Sequence, residues 1–592
     1  MEDKIKKFSD KISHITSARP LLVSVLLGLL FFILALVLCD PKYETSDDFI
    51  TNAVLSGAYT GVPDPHMFFS NILLGYMLTP LYHIFPSVSW YFWFMEVLGL
   101  ISLITIVYLT LKSSPHPLGL VLSLLFLCAF SDDIFLSLQF TKISAAALIA
   151  GGILFTRALF DDERKFKVFR IIAGSALVIL GSFLRISCAY MAAPFLLIYF
   201  VYSVSKDYKD DKKIIRRLVP CIILLTAAFA LELLNGLIWN SDKDYRTFRE
   251  YAVLRSEVTD TSRSEETKDL YSGIGLDAID YYTIWFWGFR DRSVYTDDIL
   301  RQVADIEHSS NGVDVSYVAG RLVSRDYYTY PSLLGVLLTA LLITRKKNLL
   351  YTLSCLVLPV VLIVYLTFTG RCVYRDDYSL FLCSAALLLA GDKHSLLEKI
   401  KPVSRAAVWT VIAASAIILH GAIYIPDRAY VTLSDEDYIN YQTSVLYGSP
   451  VYSAERCWID VSHRRSLDRL ITTIENDKEH FYLLDFESCI QMFTYQYAPW
   501  TNLAPGYFRD NYEFLSGCDM MYPGEIAVFE ANGIDPADPN RSMVDPSVYF
   551  VDISGGTIKL HYLRKYWYPD VQMELVDEID GFSIWRITNE LQ

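Results

Sequence analysis

The sequence predicts a multi-pass α-helical membrane protein that carries an α/β domain at its C-terminal end. Of its 592 residues, 53% are hydrophobic and 14% aromatic, and the mean hydropathy is positive, which is outside the range of soluble globular proteins. Apolar runs approaching the roughly 20 residues needed to cross a hydrocarbon core recur as far as residue 425. Beyond that point the pattern changes to short strands and helices separated by turns.

About eleven apolar runs are candidates for spanning helices, although several of them are short. They are 21–39, 90–111, 118–130, 140–160, 169–184, 189–204, 218–239, 330–344, 349–369, 378–390 and 407–425. A further apolar segment, 67–85, contains Pro80 and is followed by Pro86. We interpret this segment as re-entrant or interfacial, since proline interrupts a regular helix.

Basic clusters decide whether segment 67–85 crosses the membrane. If it does not cross, the N-terminal lysines and the later clusters all lie in the cytoplasm, as the positive-inside rule requires. If it crosses, every cluster after the first lies outside. The clusters are centred on Lys112, Arg164, Lys212, Lys346 and Lys399. We therefore predict a plasma-membrane protein with a cytoplasmic N-terminus and an extracytoplasmic C-terminal domain.

This topology divides the chain into two domains. Residues 1–426 form the transmembrane domain, with external loops at 40–89 and 240–328, and residues 427–592 form the extracytoplasmic α/β domain. Within the latter, 480–485 and 548–552 are typical of buried strands, 571–576 and 582–587 of a hairpin around Gly581, and 464–474 of a helix.

The aromatic run 285–289 in the long loop has two interpretations. It could lie on the membrane face, where Trp and Tyr are enriched, or it could form a packed local core.

Composition also excludes some functions. The net charge is −14, and no basic cluster with interleaved aromatic residues indicates a nucleic-acid partner. The ten cysteines show no spacing typical of a metal site. Cys457, Cys489 and Cys518 fall in the external domain, where a disulfide could form, but the sequence assigns no pairing.

Ionisable residues concentrate at the predicted outer face of the bundle. Asp47 and Asp48 form an acidic pair in the first external loop, and they are either catalytic or the N-terminal cap of a following helix. Charges within a span cost about 2.5–3.5 kcal/mol each on insertion scales, so those that are present are candidates for substrate binding. The candidates are Asp132, Asp133, Lys142, Arg185, Arg371, Arg375, His66, Glu96 and Glu232.

Other roles remain open for these candidates: helix capping for Asp132 and Asp133, headgroup anchoring for Arg371 and Arg375, and mutual pairing for Glu96 and Glu232.

A carboxylate whose pKa is raised by a like-charged neighbour can accept a proton from an attacking hydroxyl. Arginine and lysine can bind a phosphate leaving group. Together these groups point to transfer from a phosphate-activated, lipid-anchored donor.

The loop motifs resemble the GT-C superfamily of polyprenyl-phosphate-sugar-dependent glycosyltransferases, which includes protein O-mannosyltransferases, aminoarabinose transferases and oligosaccharyltransferases. The resemblance implies that Asp47 or Asp48 is the catalytic acid of the first loop, and that Arg371 or Arg375 binds the lipid phosphate. The Asp132–Asp133 pair is similar to an acidic second loop. The passage GVPDPH is similar to the mannosyltransferase HPP passage, except that His66 follows the proline.

The resemblance also bears on cofactors. Most of the superfamily works without a metal, whereas oligosaccharyltransferases use a divalent ion held by acids of the first two loops. No cofactor is therefore assigned from the sequence, and a divalent cation, magnesium or manganese, stays an open alternative.

The sequence thus predicts an inverting, integral membrane glycosyltransferase with Asp47 as the first choice of general base. Its expected partners are a lipid-linked sugar donor, a glycan, lipid or protein acceptor at the outer face, and membrane lipids. One alternative is a transporter or flippase of a lipid-linked saccharide, which would need a polar path and an inverted repeat that the sequence does not show. The other is a non-catalytic envelope scaffold, which would tolerate substitution of the loop acids.

Overall fold

The structure is a computed structural model. It describes residues 18–38, 41–114, 118–161, 166–206, 211–260, 265–310, 315–323, 331–369, 373–391, 469–495, 497–553, 556–579 and 581–589.

Helices dominate the first two thirds of the described chain. In order they are α1 Pro20–Leu38, α2 Ser46–Ser56, α3 Ile72–Ile84, α4 Trp90–Ser113, α5 Leu118–Phe135, α6 Phe140–Phe160, α7 Lys167–Leu184, α8 Ile186–Lys206, α9 Asp211–Trp239, α10 Lys243–Thr259, α11 Ala278–Trp285, α12 Asp297–Ser310, α13 Val315–Val323, α14 Pro331–Ile343, α15 Leu349–Phe368 and α16 Tyr374–Ala390. A 3₁₀ helix, Glu265–Ile274, precedes α11. Two short strands, β1 Lys42–Tyr43 and β2 Ser137–Leu138, lie among them.

Eight of the described helices are long and apolar enough to cross a membrane, namely α1, α4–α9 and α15. Ten of the eleven predicted spans coincide with helices, and segment 407–425 lies outside the described residues. The outward faces of these helices are apolar: Leu26, Leu225 and Leu350 are 58%, 65% and 81% exposed. Side chains of this kind are stable in contact with lipid, so the chain is a multi-pass membrane protein.

Small residues bring the central helices together. α6 is almost wholly buried and packs against α7 where Gly151 faces Gly174. A Cβ on Gly151 would lie 2.7 Å from the carbonyl oxygen of Gly174, closer than side chains approach backbone. Glycine at both positions therefore permits the close crossing that is common between membrane helices.

The described part of the expected re-entrant segment is a short helix. α3 has 13 residues, includes Pro80, and is capped by Asn71, whose side chain accepts a hydrogen bond from the backbone N–H of Leu73. Asn71 also holds the start of α3 against the bundle, because its backbone N–H donates to the carbonyl of Phe183. Its position relative to a membrane stays a prediction.

The C-terminal part is an α/β domain with a mixed five-stranded sheet. Its elements are α17 Arg469–Asn476, β3 Phe481–Leu484, α18 Phe486–Tyr495, α19 Tyr507–Asp510, β4 Tyr512–Phe514, α20 Pro523–Ala531, the 3₁₀ helix Pro539–Val544, β5 Val548–Asp552, α21 Thr557–Tyr566, β6 Val571–Ile579 and β7 Phe582–Asn589. The strand order is β4-β3-β5-β7-β6. β4, β3 and β5 are parallel, and β5, β7 and β6 are antiparallel. The predicted strands and hairpin are confirmed.

The long loop packs against this domain and not against lipid. Trp287 stacks on Phe486 with ring centroids 4.5 Å apart, and Phe289 is fully buried. The local-core interpretation of the aromatic run is therefore correct. Arg290, also fully buried, forms an ion pair of 2.6 Å with Glu525 on α20. Cys518 and Cys489 are free, so no disulfide links them, and Cys457 lies outside the described residues.

We predict that the Arg290–Glu525 ion pair stabilises the packing of the long loop against the C-terminal domain. Arg290→Ala leaves a buried carboxylate without its partner, so we expect a loss of about 3–5 kcal/mol of folding stability. Thermal unfolding of the detergent-purified protein measures this loss as a lower Tm. Arg301→Ala is the matched control, because its ion pair with Asp298 is exposed. Equal Tm values for the two variants would contradict the prediction.

Candidate active site

A buried ion-pair cluster lies where the first loop meets the central helices. β1 pairs in parallel with β2, which places Glu44 directly over the start of α6. The Nζ of Lys142 lies 2.5 Å from Glu44 Oε2 and 2.6 Å from Asp133 Oδ1, and all three side chains are at most 1% exposed. The Tyr374 hydroxyl donates to the other oxygen of Asp133 at 2.7 Å. This cluster fixes the geometry of the first loop.

The Asp132–Asp133 pair lies inside a helix, whereas the sequence suggested a position between two helices. α5 continues to Phe135, so both residues lie in its last turn and are 8% and 1% exposed. The helix can continue through Asp133 because Lys142 compensates the charge of this carboxylate inside the protein. Asp133 therefore does not need to face water. Capping of a helix at residue 134 is therefore wrong.

Asp48 is the buried member of the acidic pair. It lies in the first turn of α2, is fully buried, and accepts a 2.8 Å hydrogen bond from the Tyr91 hydroxyl. Burial raises the pKa of Asp48 well above its ordinary value, the Tyr91 hydrogen bond opposes the rise, and the charges of Asp47 and Glu44 add to it. Asp48 therefore favours the protonated form.

Asp47 is the accessible member of the pair. It is partly exposed in the same helical turn, and the N-cap of α2 is Thr45, so the acidic pair does not cap the helix. Its charge acts on Cys489 and Cys518 of the C-terminal domain and on Arg375 of α16. Asp47 thus lies at the junction of the helical bundle and the external domain.

Two arginines border this junction. Arg375, 7% exposed, interacts electrostatically with Asp376, Glu44 and Asp47, yet it forms no ion pair with a described residue. Arg185 follows the last residue of α7, and its side chain donates to the hydroxyl of Thr141 at the start of α6 at 2.8 Å. Both guanidinium groups act on Cys188, so they lie on the same side of the bundle. Their free donors suit an anion such as a phosphate. Arg371 lies outside the described residues.

His66 belongs to a second polar cluster that the sequence did not reveal. Its ring stacks on Tyr245 with centroids 3.5 Å apart, and its Nδ1 lies 2.5 Å from Asp64. The hydroxyls of Tyr245 and Tyr522 both donate to Asp64. Burial alone would raise the pKa of Asp64, but His66 and the two hydroxyls together lower it. The cluster joins the first loop, the long loop and the C-terminal domain.

Glu232 and Glu96 lie apart from each other, so they do not form the mutual pair considered above. Glu232 accepts hydrogen bonds from Asn71 at 3.1 Å and from Asn235 at 3.0 Å, which anchors the start of α3. Glu96 is fully buried, and its carboxyl group makes no hydrogen bond to a described residue. It acts electrostatically on Tyr43, which Asp48 also influences. Substrate contact stays a prediction for both glutamates.

The structure therefore brings together Asp47, Asp48, Asp133, Lys142 and Arg375. The sequence did not single out Glu44 or Tyr374, although Glu44 precedes the acidic pair by only three residues. Across the described parts of the chain, no group of three or more His, Cys, Asp or Glu side chains has the arrangement of a metal site. Lys142 lies between Glu44 and Asp133 and compensates the charge of these two carboxylates.

Comparisons with known proteins give a structural likeness. No protein-family model matches the chain, and no curated protein matches it in sequence. Among solved structures, the chain is similar to ArnT from Cupriavidus metallidurans in the apo state, with 12% identity and a TM-score of 0.48, over 95% of this chain and 97% of that one. At this identity and TM-score the likeness says nothing about activity.

We predict that Lys142 is essential for the stability of the site. Lys142→Met leaves Glu44 and Asp133 buried without a cation, which we expect to cost about 3–5 kcal/mol. The measurement is the Tm of the purified protein in detergent. Lys112→Met serves as control, because the ion pair of Lys112 with Asp161 is longer, at 3.6 Å, and partly exposed. A Lys142→Met protein as stable as this control would show that the cluster is not a structural requirement.

Proposed function

We propose that the protein is an inverting GT-C-type glycosyltransferase that moves a sugar from a polyprenyl-phosphate donor to an acceptor hydroxyl at the outer face of the membrane. The observation that supports it is an accessible carboxylate, Asp47, that interacts electrostatically with the buried guanidinium of Arg375 at the junction of bundle and external domain, where Arg375 forms no ion pair with a described residue. An acid that can accept a proton beside a cation that can bind a phosphate matches the two needs of glycosyl transfer.

In the proposed reaction, Asp47 accepts the proton of the acceptor hydroxyl while the hydroxyl oxygen attacks the anomeric carbon. The bond between that carbon and the phosphate oxygen breaks, and the electron pair leaves with the polyprenyl phosphate. Arg375 compensates the charge of the departing phosphate, with Arg185 as a second anion-binding group nearby. Attack from the face opposite the leaving group inverts the anomeric configuration.

The two aspartates have different tasks in this proposal. Burial raises the pKa of Asp48 well above its ordinary value, which favours the protonated form of this carboxyl group beside Asp47. Its hydrogen bond from Tyr91 on α4 ties the start of α2 to the bundle and fixes the direction of Asp47. Asp48 is therefore a positioning residue, and Asp47 is the base.

The acceptor is a glycan, lipid or protein of the envelope, and the donor reaches the site from the lipid phase. The proposed orientation has a cytoplasmic N-terminus and an extracytoplasmic C-terminal domain, supported by the basic clusters of the connecting loops. The charge of Asp47 acts on Cys518 of the C-terminal domain, so the domain lies close to the proposed base, which suits selection of an acceptor outside the membrane.

We predict that Asp47→Asn lowers transfer by about 10²–10⁴-fold, since general base catalysis contributes about that much. The measurement is transfer of radiolabelled sugar from a panel of polyprenyl-phosphate sugars by the purified protein in detergent. We expect Asp48→Asn to lower kcat less, because it keeps a neutral side chain at the buried position. Asp244→Asn, an exposed first-turn acid of α10, is the matched control.

Full activity of Asp47→Asn would refute the assignment of the base. Absence of transfer from every donor, with the lipid still bound by the native protein, would favour the transporter or scaffold alternatives.

We predict that Arg375→Gln weakens the donor interaction, because it removes the charge that faces the phosphate. The donor KM should rise about tenfold or more, in line with about 1.5–3 kcal/mol for a hydrogen bond to a charged group. Steady-state kinetics with varied donor at saturating acceptor measures the change. Arg301→Gln, on the exposed face of α12, should leave the donor KM unchanged. A normal donor KM for Arg375→Gln would place the phosphate elsewhere.

A further inference from the structure

Phe69, in the first external loop, combines an exposed side chain with an unusual backbone conformation. Its side chain is 47% exposed, whereas its neighbours Phe68 and Ser70 are buried. Its φ angle is +59°, in the left-handed region. For a bulky residue this conformation is an outlier with an energetic cost, and it persists only where the surrounding structure fixes the backbone. The proposed transfer reaction has not used Phe69.

Hydrogen bonds to the end of α7 fix the chain immediately after Phe69. The Ser70 hydroxyl donates to the carbonyl of Leu184 at 2.8 Å, and the backbone N–H of Asn71 donates to the carbonyl of Phe183 at 2.7 Å. Ser70 and Asn71 are both buried. The packing of the first loop against α7 therefore sets the direction of the Phe69 side chain.

The ring of Phe69 stacks on the ring of Phe140, the first residue of α6. The two ring planes differ by 5°, and the centroids are 5.8 Å apart, within the range of offset-stacked aromatic pairs. Phe140 is only 3% exposed, so it supports Phe69 from inside the protein. Because Phe69 is still 47% exposed, a large part of its side chain is open to a ligand.

Phe140 also connects Phe69 with the groups of the proposed transfer reaction. The backbone N–H of Phe140 donates a hydrogen bond to the carboxyl group of Asp48, the neighbour of the proposed base Asp47. The guanidinium carbon of Arg185 lies 4.9 Å from the centroid of the Phe140 ring. One buried ring therefore contacts both Phe69 and an arginine assigned to the phosphate. The exposed part of Phe69 lies beside the place that the donor occupies in the proposed reaction.

An aromatic ring in this position suits the sugar of the donor. The sugar is bonded directly to the phosphate, so it lies close to Arg185 when the phosphate is bound there. The C–H bonds on the face of a pyranose carry partial positive charge, and the face of an aromatic ring is negative. Contact with lipid alone does not account for Phe69, because an apolar side chain can face lipid from an unstrained backbone.

We propose that the sugar ring of the donor stacks on Phe69, and that Phe69 selects a pyranose with hydrogens on the face turned to the aromatic ring. This inference rests on the proposed function, since it names the part of the donor that the site recognises. Arg375 and Arg185 bind the phosphate, Phe69 holds the sugar, and Asp47 faces the acceptor hydroxyl. No bond is formed or broken at Phe69.

Equilibrium binding without an acceptor tests the stacking contact. The probes are radiolabelled undecaprenyl phosphate and its glucosyl, galactosyl and mannosyl derivatives, with the purified full-length protein in detergent. Phe69→Leu keeps an apolar side chain but removes the aromatic face. We expect this variant to bind the glycosylated lipid that the native protein prefers about tenfold more weakly, the effect of about 1.4 kcal/mol, and undecaprenyl phosphate equally well. Phe69→Tyr should bind all four lipids as the native protein does.

Phe229→Leu is the matched control, because Phe229 is a 58% exposed phenylalanine on α9, outside the first loop. It should bind all four lipids normally, and every variant should keep the native Tm. Equal weakening of undecaprenyl phosphate in Phe69→Leu would show that Phe69 contacts the isoprenoid or the phosphate, which would overturn the proposal. An unchanged affinity of Phe69→Leu, or a native protein that binds no glycosylated lipid more tightly than undecaprenyl phosphate, would overturn it as well.

Kinetics separates the stacking contact from a structural role and from the proposed function. A contact made both before and during transfer changes the donor KM, so Phe69→Leu should raise it about tenfold and keep kcat within about twofold. A lower kcat with an unchanged donor KM would indicate a displaced Asp47 and would contradict the proposal. If the native protein transfers no sugar while Phe69→Leu still loses sugar-dependent binding, the proposed function fails and the stacking contact stands. Normal transfer together with normal sugar binding in Phe69→Leu would refute the stacking contact alone.

Discussion

The buried lysine between two carboxylates is the constraint on which the first loop depends. Removing Lys142, Glu44 and Asp133 from water carries a large desolvation cost, which is offset only if their distances and hydrogen bonds are held closely. The parallel pairing of β1 with β2 supplies that precision, since it fixes Glu44 relative to the start of α6. The guanidinium of Arg375 interacts electrostatically with Glu44 of this cluster. The stability of the bundle and the position of Arg375 therefore depend on the same ion pairs.

The external domain is a structural part of the site and not an appendage. The carbonyl of Tyr497 accepts a hydrogen bond from Lys42 in β1, and the Tyr59 hydroxyl donates to Asp519 at 2.6 Å. The Asp64 cluster adds Tyr522 to the same junction. Because the first loop contacts the domain at points spread along its length, a shift of the domain changes the surroundings of Asp47.

The helices were predictable from sequence and the site partners mostly were not. An apolar run of spanning length is a local signal of a membrane-crossing helix. For this reason ten predicted spans coincide with helices. The strands predicted at 548–552 and 571–576 were found for the same reason, since alternation and turns are local signals. The end of α5 was misplaced because Asp132 and Asp133 look solvent-directed until the lysine nine residues beyond Asp133 is known to pair with it. Tyr522 lies 458 residues from Asp64, and no local pattern connects them.

The different environments of Asp47 and Asp48 follow from helical geometry. Consecutive residues of a helix point about 100° apart, so only one of two adjacent acids can face the bundle while the other faces the cleft. The Asp48 side chain points into the bundle, where it accepts hydrogen bonds from Tyr91 and from the backbone at the start of α6. The Asp47 side chain therefore points towards the external domain. Both lie at the N-terminus of α2, where the helix dipole favours negative charge. An acidic pair at this position places one carboxyl group inside the bundle and the other at the external domain, which a single aspartate could not do.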